Sequence, residues 1–205
     1  GRRQKETISI FKNTSKRKNA ILIYASPKKD YASDLKGEYQ KENINTVITA
    51  IKQLQKQKWE ITEDNIKYGL LKTVANTKLL GRWQTLSKNP QIICDTAHNE
   101  DGIKEIAKQL RNLKHKQLHI VFGTVNDKNL DTILSYLPQD AKYYFCNANV
   151  ARAMNAENLK QKAAKYKLNG KTFTSVEEAL KCAEEDANAG DLIFIGGSTF
   201  VVAEV

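Results

Sequence analysis

Three side chains suited to an anionic ligand fall close together in this chain: Arg82, Asp95 and His98. Arg82 follows a glycine in Leu80-Gly81-Arg82-Trp83-Gln84. Asp95 and His98 lie in Asp95-Thr96-Ala97-His98-Asn99, directly behind the apolar run Ile92-Ile93-Cys94. A guanidinium keeps its charge and can fork onto two phosphate oxygens. A carboxylate can accept from two hydroxyls of a sugar, and an imidazole can position an anion or a proton. Each residue also has a bland reading: a surface arginine in a linker, an aspartate capping the next helix, a satisfied structural histidine. Asn99 and Asp101 are both placed to cap that helix instead, which leaves Asp95 free for a ligand.

Two further turns put polar groups behind apolar runs. In Phe122-Gly123-Thr124-Val125-Asn126-Asp127-Lys128-Asn129 the glycine allows close backbone approach, and the Lys128 ammonium would help to hold charge. Capping of the following helix by Asp127 is the competing explanation. Ile195-Gly196-Gly197-Ser198 ends another apolar run, and a simple strand-to-helix turn explains it as well as a binding role for Ser198 does. His115 and His119 flank a strand without a partner motif and read as structural.

These residues need a frame, and the pattern after residue 80 supplies one. Apolar runs at 92–94, 118–123, 142–146 and 191–198 read as strands. Between them lie helical periodicities: Ile103, Ile106, Ala107, Leu110 and Leu113; then Leu130, Ile133, Leu134 and Leu137; then 156–166 and 176–187. Such alternation predicts an α/β fold, a Rossmann-like, mostly parallel sheet with helices on both faces. The candidate residues then sit at the carboxyl ends of strands, where open sheets of this kind bind ligands.

Residues 1–36 read as β-rich, with strand candidates at 7–11 (or part of a helix) and 20–24, and a loop at Pro27. A helix follows, on which Ile44, Val47, Ile48, Ile51 and Leu54 share a face. Thr62 is placed to cap a second helix, with Glu63 and Asp64 in its first turn and Ile66, Leu70, Leu71 and Val74 on its apolar side. The chain opens on Gly1 in mid-pattern, its only methionine is Met154, and residues 200–205 resemble the start of a helix. We expect an excerpt of a longer protein.

Composition narrows the class. No apolar run is long enough to span a membrane, and the first residues lack the apolar core of a signal peptide. Cys94, Cys146 and Cys182 form no metal-type pair, and an odd count argues against a disulfide framework, so a reducing cytoplasm fits. A net charge of +10 raises the question of nucleic acid. The lysines are dispersed, however, and no nucleic-acid motif accompanies them. They read as a solvated surface with some attraction for anionic ligands.

Taken together, Gly81-Arg82-x-Gln84 and Asp95-x-Ala97-His98-Asn99 resemble the start of the C-terminal domain of the folylpolyglutamate synthase/dihydrofolate synthase family, relatives of the Mur ligases. Gly37-x-Tyr39-Gln40-x-x-Asn43 resembles the Gly-x-His-Gln-x-x-Asn that closes that family's central domain, with Tyr39 in place of histidine. The loop Gly123 to Asn129 resembles its Gly-x-x-x-Asp-Lys-Asp, with Asn129 at the last position, and Gly197-Ser198 resembles its C-terminal Gly-Ser. Leu79-Leu80 stands where relatives often have Trp-Pro.

The resemblance implies a tail of the central, ATP-binding domain with a linker helix over 1–75 and a C-terminal Rossmann-like domain over 76–205. It implies part of an ATP-dependent ligase adding glutamate to folates through an acyl phosphate. Arg82 would reach ATP and act in catalysis, Asp95 would lie at the ribose, and Asn43 at the base. His98 would act in catalysis near the incoming glutamate or the phosphates, and Ser198 would contact glutamate. ATP and Mg²⁺ are the implied cofactors, and folate and L-glutamate the partners of a cytoplasmic monomer, with neither nucleic acid nor membrane. No Gly-x-x-x-x-Gly-Lys-Ser/Thr loop occurs in the sequence. The family carries that loop, its Mg²⁺ ligands and a carbamylated lysine in its N-terminal part, so this chain alone is expected to be inactive. Two alternatives stand beside this reading. One is another Mur-type amino-acid ligase, against which Gln84 and Tyr39-Gln40 weigh. The other is a non-catalytic α/β ligand-binding module, for which the missing phosphate loop speaks.

Overall fold

The computed structural model describes residues 4–26, 30–126 and 130–205, and the chain divides into two compact units, Gly1–Leu79 and Leu80–Val205. In the first unit helices dominate. α1 (Lys5–Arg17) covers the first strand candidate, and α2 (Gln40–Lys56) carries the expected apolar face. Only part of that face is covered: Ile44 and Ile48 are buried, whereas Val47 is exposed. α3 (Glu63–Leu71) begins as expected at Thr62. The Thr62 hydroxyl accepts from the Asn65 amide while Asn65 Oδ1 accepts from the Thr62 amide, a reciprocal cap.

Two expectations for this unit need correction. It is not β-rich: 20–24 forms no strand, and Ile21 is 89% exposed. An apolar alternation becomes a strand only where a neighbouring strand takes its backbone groups, and none does so among the described residues. The second helix does not run on to Val74. It stops at Leu71, and a separate turn, α4 (Thr73–Thr77), starts where the Val74 amide donates to Asp34 Oδ2 at 2.8 Å.

The second unit is a six-stranded sheet: β1 (Gln84–Lys88), β2 (Gln91–Asp95), β3 (Leu118–Phe122), β4 (Lys142–Cys146), β5 (Gly170–Phe173) and β6 (Leu192–Gly196). Their order across the sheet is β1-β2-β6-β3-β4-β5, and every pairing is parallel except β1 with β2. This is the expected Rossmann-like α/β sheet, with two strands that the pattern did not announce. β1 is a polar edge strand without an apolar run. β5 has only four residues, and Gly170 lies so close to β4 that a Cβ would stand 2.0 Å from the Tyr143 carbonyl oxygen.

The connecting helices are α5 (Glu100–Asn112), α6 (Leu130–Tyr136), α7 (Ala156–Ala164), α8 (Val176–Asp186) and α9 (Thr199–Val202). α5 packs beside α6, α7 and α8 lie on β4 and β5, and α9 lies on β6 and β2. Ile103, Ile106, Ala107 and Leu110 of α5 are all fully buried. Each large aliphatic among them contributes about 2 kcal/mol of transfer free energy. Cys94 and Cys146 are core residues, and burial pushes their thiols up to about 11 and about 12. Among the described residues no helix is long and apolar enough to cross a membrane.

One polar chain runs through this core. His119 is fully buried, with Nδ1 2.8 Å from the Tyr144 hydroxyl and Nε2 3.4 Å from Asp191 Oδ2. Tyr144 donates to Asp186, which also holds Lys171 at 3.1 Å. Asp191 accepts from the Gln117 and Asn188 amides. Desolvation outweighs the pull of Asp191 and lowers the His119 pKa, whereas the Asn188 amide, foremost, holds the Asp191 carboxyl below its usual range.

Candidate functional site

The site is built where β2 ends. Asp95 is its last residue and has no exposed surface. Its Oδ2 accepts from the Trp83 amide at 2.7 Å and its Oδ1 from the Ala97 amide at 2.8 Å. A second tie runs between the same backbones, from the Thr96 amide to the Gly81 carbonyl at 2.9 Å. The Gly81 amide donates in turn to Gln84 Oε1 at 2.7 Å, closing the turn on itself.

This turn has an unusual backbone. Gly81 has φ 69° and is buried, and a Cβ there would stand 2.6 Å from the Thr96 methyl group. Trp83 also has a positive φ, 49°, which costs a non-glycine residue about 1 kcal/mol. Its amide bond to Asp95 and its ring, buried with its centroid 6.2 Å from that of Phe194, offset that cost. Arg82 lies between these two residues and is exposed.

His98 is exposed on the adjoining segment, with Nδ1 3.0 Å from the Thr96 carbonyl oxygen. A carbonyl only accepts, so Nδ1 carries the hydrogen and Nε2 is left as the acceptor of the neutral ring. Asn99 then caps α5 through a 2.9 Å bond from the Gly102 amide. The structure thus brings Arg82, Asp95 and His98 together on two cross-tied backbone segments.

Asn99 caps α5, and Asp95 is buried, with its carboxylate taking two backbone amides. Ser198 is 2% exposed, and its Oγ accepts from the Phe200 amide as the cap of α9. Ser198 thus has the capping role that a strand-to-helix turn gives it. Asn43 belongs to the first unit. It is exposed on the first turn of α2, where its Nδ2 donates to Gln40 Oε1 at 2.9 Å. Asp127, Lys128 and Asn129 lie outside the described residues. The preceding part of that loop is fixed to the β4–α7 connection by bonds from Met154 to Thr124 and from Asn126 to Arg152. Trp83 and Thr96 went unnoticed as builders of the site. The only signal was their place beside Gly81-Arg82 and inside Asp95-x-Ala97-His98.

Comparison with known proteins agrees with this geometry. Residues 81–199 match the family model described as Mur ligase, glutamate ligase domain. The chain belongs to the Mur ligase family. Among Mur ligase relatives, a dihydrofolate synthase/folylpolyglutamate synthase of Escherichia coli is 31% identical over 159 residues, 77% of this chain and 36% of that protein. A probable bifunctional folylpolyglutamate synthase/dihydropteroate synthase of Haloferax volcanii is 29% identical over 85% of this chain and 20% of its own length. The chain therefore spans well under half of these curated relatives. Among solved structures, E. coli FolC with ADP aligns at TM-score 0.69 and 28% identity, over 80% of this chain and 38% of that one. A bifunctional folylpolyglutamate synthase/dihydrofolate synthase of Yersinia pestis, solved with Mn, AMPPNP and L-glutamate, aligns at 0.66 and 25%, over 78% and 38%.

Among the described residues no group of three or more His, Cys, Asp or Glu side chains could hold a metal ion.

Proposed function

We propose that the intact protein is an ATP-dependent ligase that joins L-glutamate to a folate, a folylpolyglutamate synthase. The reaction balances in two steps. The γ-phosphoryl group of ATP passes to the terminal carboxylate of the folate, giving an acyl phosphate and ADP. The amine of glutamate then attacks the acyl carbon, phosphate leaves, and the amine gives up a proton.

The observation that carries this reading is the cross-tied turn that presents Arg82 and His98 in a glutamate ligase domain. An exposed guanidinium on a rigid backbone suits the charge of a transferring phosphoryl group. His98, with Nε2 as acceptor, suits the incoming glutamate, and Asn43 suits the edge of the adenine base. ATP with a divalent cation, Mg²⁺ in the cell, is the proposed cofactor set. A cytoplasmic monomer that engages neither nucleic acid nor membrane completes the proposal. The relatives' names support folate and glutamate as substrates, and the Yersinia complex supports a nucleotide, a divalent metal and glutamate.

The test is phosphate release from the intact protein, dependent on ATP, glutamate and tetrahydrofolate, with Arg82→Ala beside the wild type. We expect turnover that falls at least about 100-fold in the variant while thermal unfolding is unchanged. Turnover only with a muramyl acceptor would overturn the folate reading. Full activity in Arg82→Ala would remove Arg82 from the mechanism.

A further inference from the structure

The proposed reaction brings together two kinds of anion, a transferring phosphoryl group and a glutamate with two carboxylates. Arg82 suits the first, and the second calls for a cation of its own. We infer that Arg152, on the connection between β4 and α7, binds the γ-carboxylate of the incoming glutamate and so selects an acidic amino acid. This rests on the ligase reading above.

Placement comes first. β4 ends at Cys146, on the same carboxyl edge of the parallel strands as Asp95. The connection that follows is fastened along its length. The Asn126 amide donates to the Arg152 carbonyl oxygen at 3.2 Å, and the Met154 amide to that of Thr124 at 2.9 Å. The Ala153 amide donates to the Val150 carbonyl oxygen at 2.9 Å, and the Asn149 amide to the Glu204 carboxylate at 2.7 Å. The backbone that presents Arg152 is therefore set before a ligand arrives, as a selective contact requires.

The side chain is steered as well. Arg152 is exposed, with its guanidinium carbon 4.8 Å from the centroid of the Phe200 ring, within the range of cation–π attraction. Phe200 is half-buried and packs, with Val150, against the core that holds Cys146 and Val201. The ring limits where the guanidinium can go and offers it no acceptor oxygen. With five N–H donors in a planar fork, the group can take a bidentate carboxylate beside its other contacts. A lysine ammonium has no such fork.

The span from Arg82 suits the two anions. α9 stands between the two arginine-bearing segments. A Cβ on Gly81 would lie 3.0 Å from Val202 Cγ1, whereas Arg152 covers Phe200. Side chains two residues apart on a helix point about 200° apart, so the segments flank α9. The strand order gives the scale. From β2 to β4 through β6 and β3 is about 14 Å. Bond lengths put the γ-carboxylate of a glutamate attacking the acyl carbon about 10 Å from the phosphoryl group. Two arginine side chains reaching toward each other cover the difference.

The test uses the intact protein with Arg152→Ala, Arg152→Lys and Phe200→Leu, each assayed at varied glutamate, ATP and tetrahydrofolate. Arg152→Ala should raise the KM for glutamate about 10- to 100-fold, with kcat and the KM for ATP within about twofold of the wild type. Arg152→Lys should recover part of that loss, because it keeps the charge without the fork. Phe200→Leu removes the steering ring and leaves the guanidinium, so the KM for glutamate should rise only about threefold. Glutamine supplies the decisive comparison, because an amide replaces its γ-carboxylate. The wild type should strongly prefer glutamate, and Arg152→Ala should lose most of that preference. If the preference survives intact in Arg152→Ala, the inference is wrong. A KM that rises for ATP or tetrahydrofolate instead of glutamate also overturns it. So does a lower melting temperature with every KM unchanged, which would reduce Arg152 to a cover for Phe200. Absence of wild-type turnover with any folate would count against the ligase reading itself.

Discussion

The two units spend their apolar residues differently. In the second, strands such as Leu118–Phe122 and Leu192–Gly196 are buried at every position, and α5 adds a fully buried aliphatic face. In the first, the core is Ile44, Ile48 and Ile66 with half-buried neighbours, and no residue of α1 is buried. One frame is fixed by a ladder and a core, the other by caps and local bonds. The difference bears on the proposed function. Arg82 and His98 rise from the rigid frame, whereas Asn43 rides on a helix that buries only Gln40, Ile44 and Ile48.

The sharpest way to break this contrast is to empty equivalent positions. Ile106→Ala should cost about 3–5 kcal/mol, and Ile48→Ala about 2 kcal/mol or less, because a thin cluster relaxes into the space. Native-state hydrogen exchange of α5 and α2 amides reads the two separately. Equal costs would show that the first unit is packed as firmly as the second.

Acid gives a smaller effect confined to the second unit. Burial holds the folded-state pKa of His119 below its usual 6.5, so the unfolded chain takes up this proton first. Stability therefore falls as pH drops below about 6.5, by at most about 1.4 kcal/mol per pH unit. The stabilising effect of the depressed Asp191 carboxyl is lost only lower, as pH falls through the acid range below its usual 3.8. Melting curves between pH 7 and 5 should show the slope, and His119→Gln should flatten it. A wild type that gains stability in this window would mean that Asp191 keeps the imidazole charged.

The smallest expected effect belongs to the first unit. Thr62→Ala removes half of a reciprocal cap, worth about 1 kcal/mol. It should lower exchange protection in α3 and leave α5 unchanged.

The central strands and α5 were legible because contiguous apolar runs and a 3.6-residue period each have one economical structure. β1 was hidden because its polar sequence carries no burial signal; its partner gives it its form. The stretch 20–24 misled for the opposite reason, having a strand's pattern and no strand beside it. At the candidate site, the motif spacing singled out Arg82 and His98 as candidates and identified Asn99 as a possible cap, which it is. It did not reveal that Asp95 is buried, because that depends on the Trp83 amide twelve residues earlier and on a left-handed turn.

The position of β6 has a consequence for how the molecule comes into being. It lies between β2 and β3, pairing with both, although it follows the other five strands of this sheet in the sequence. Until residues 192–196 leave the ribosome, β2 and β3 each expose an unpaired apolar edge, and the halves of the sheet have no ladder to join them. Closure of the sheet must await its longest-range pairing, β2 with β6, and pairings of high sequence separation form late and slowly. Chain termination before β6 should therefore yield an aggregating polypeptide rather than a smaller domain.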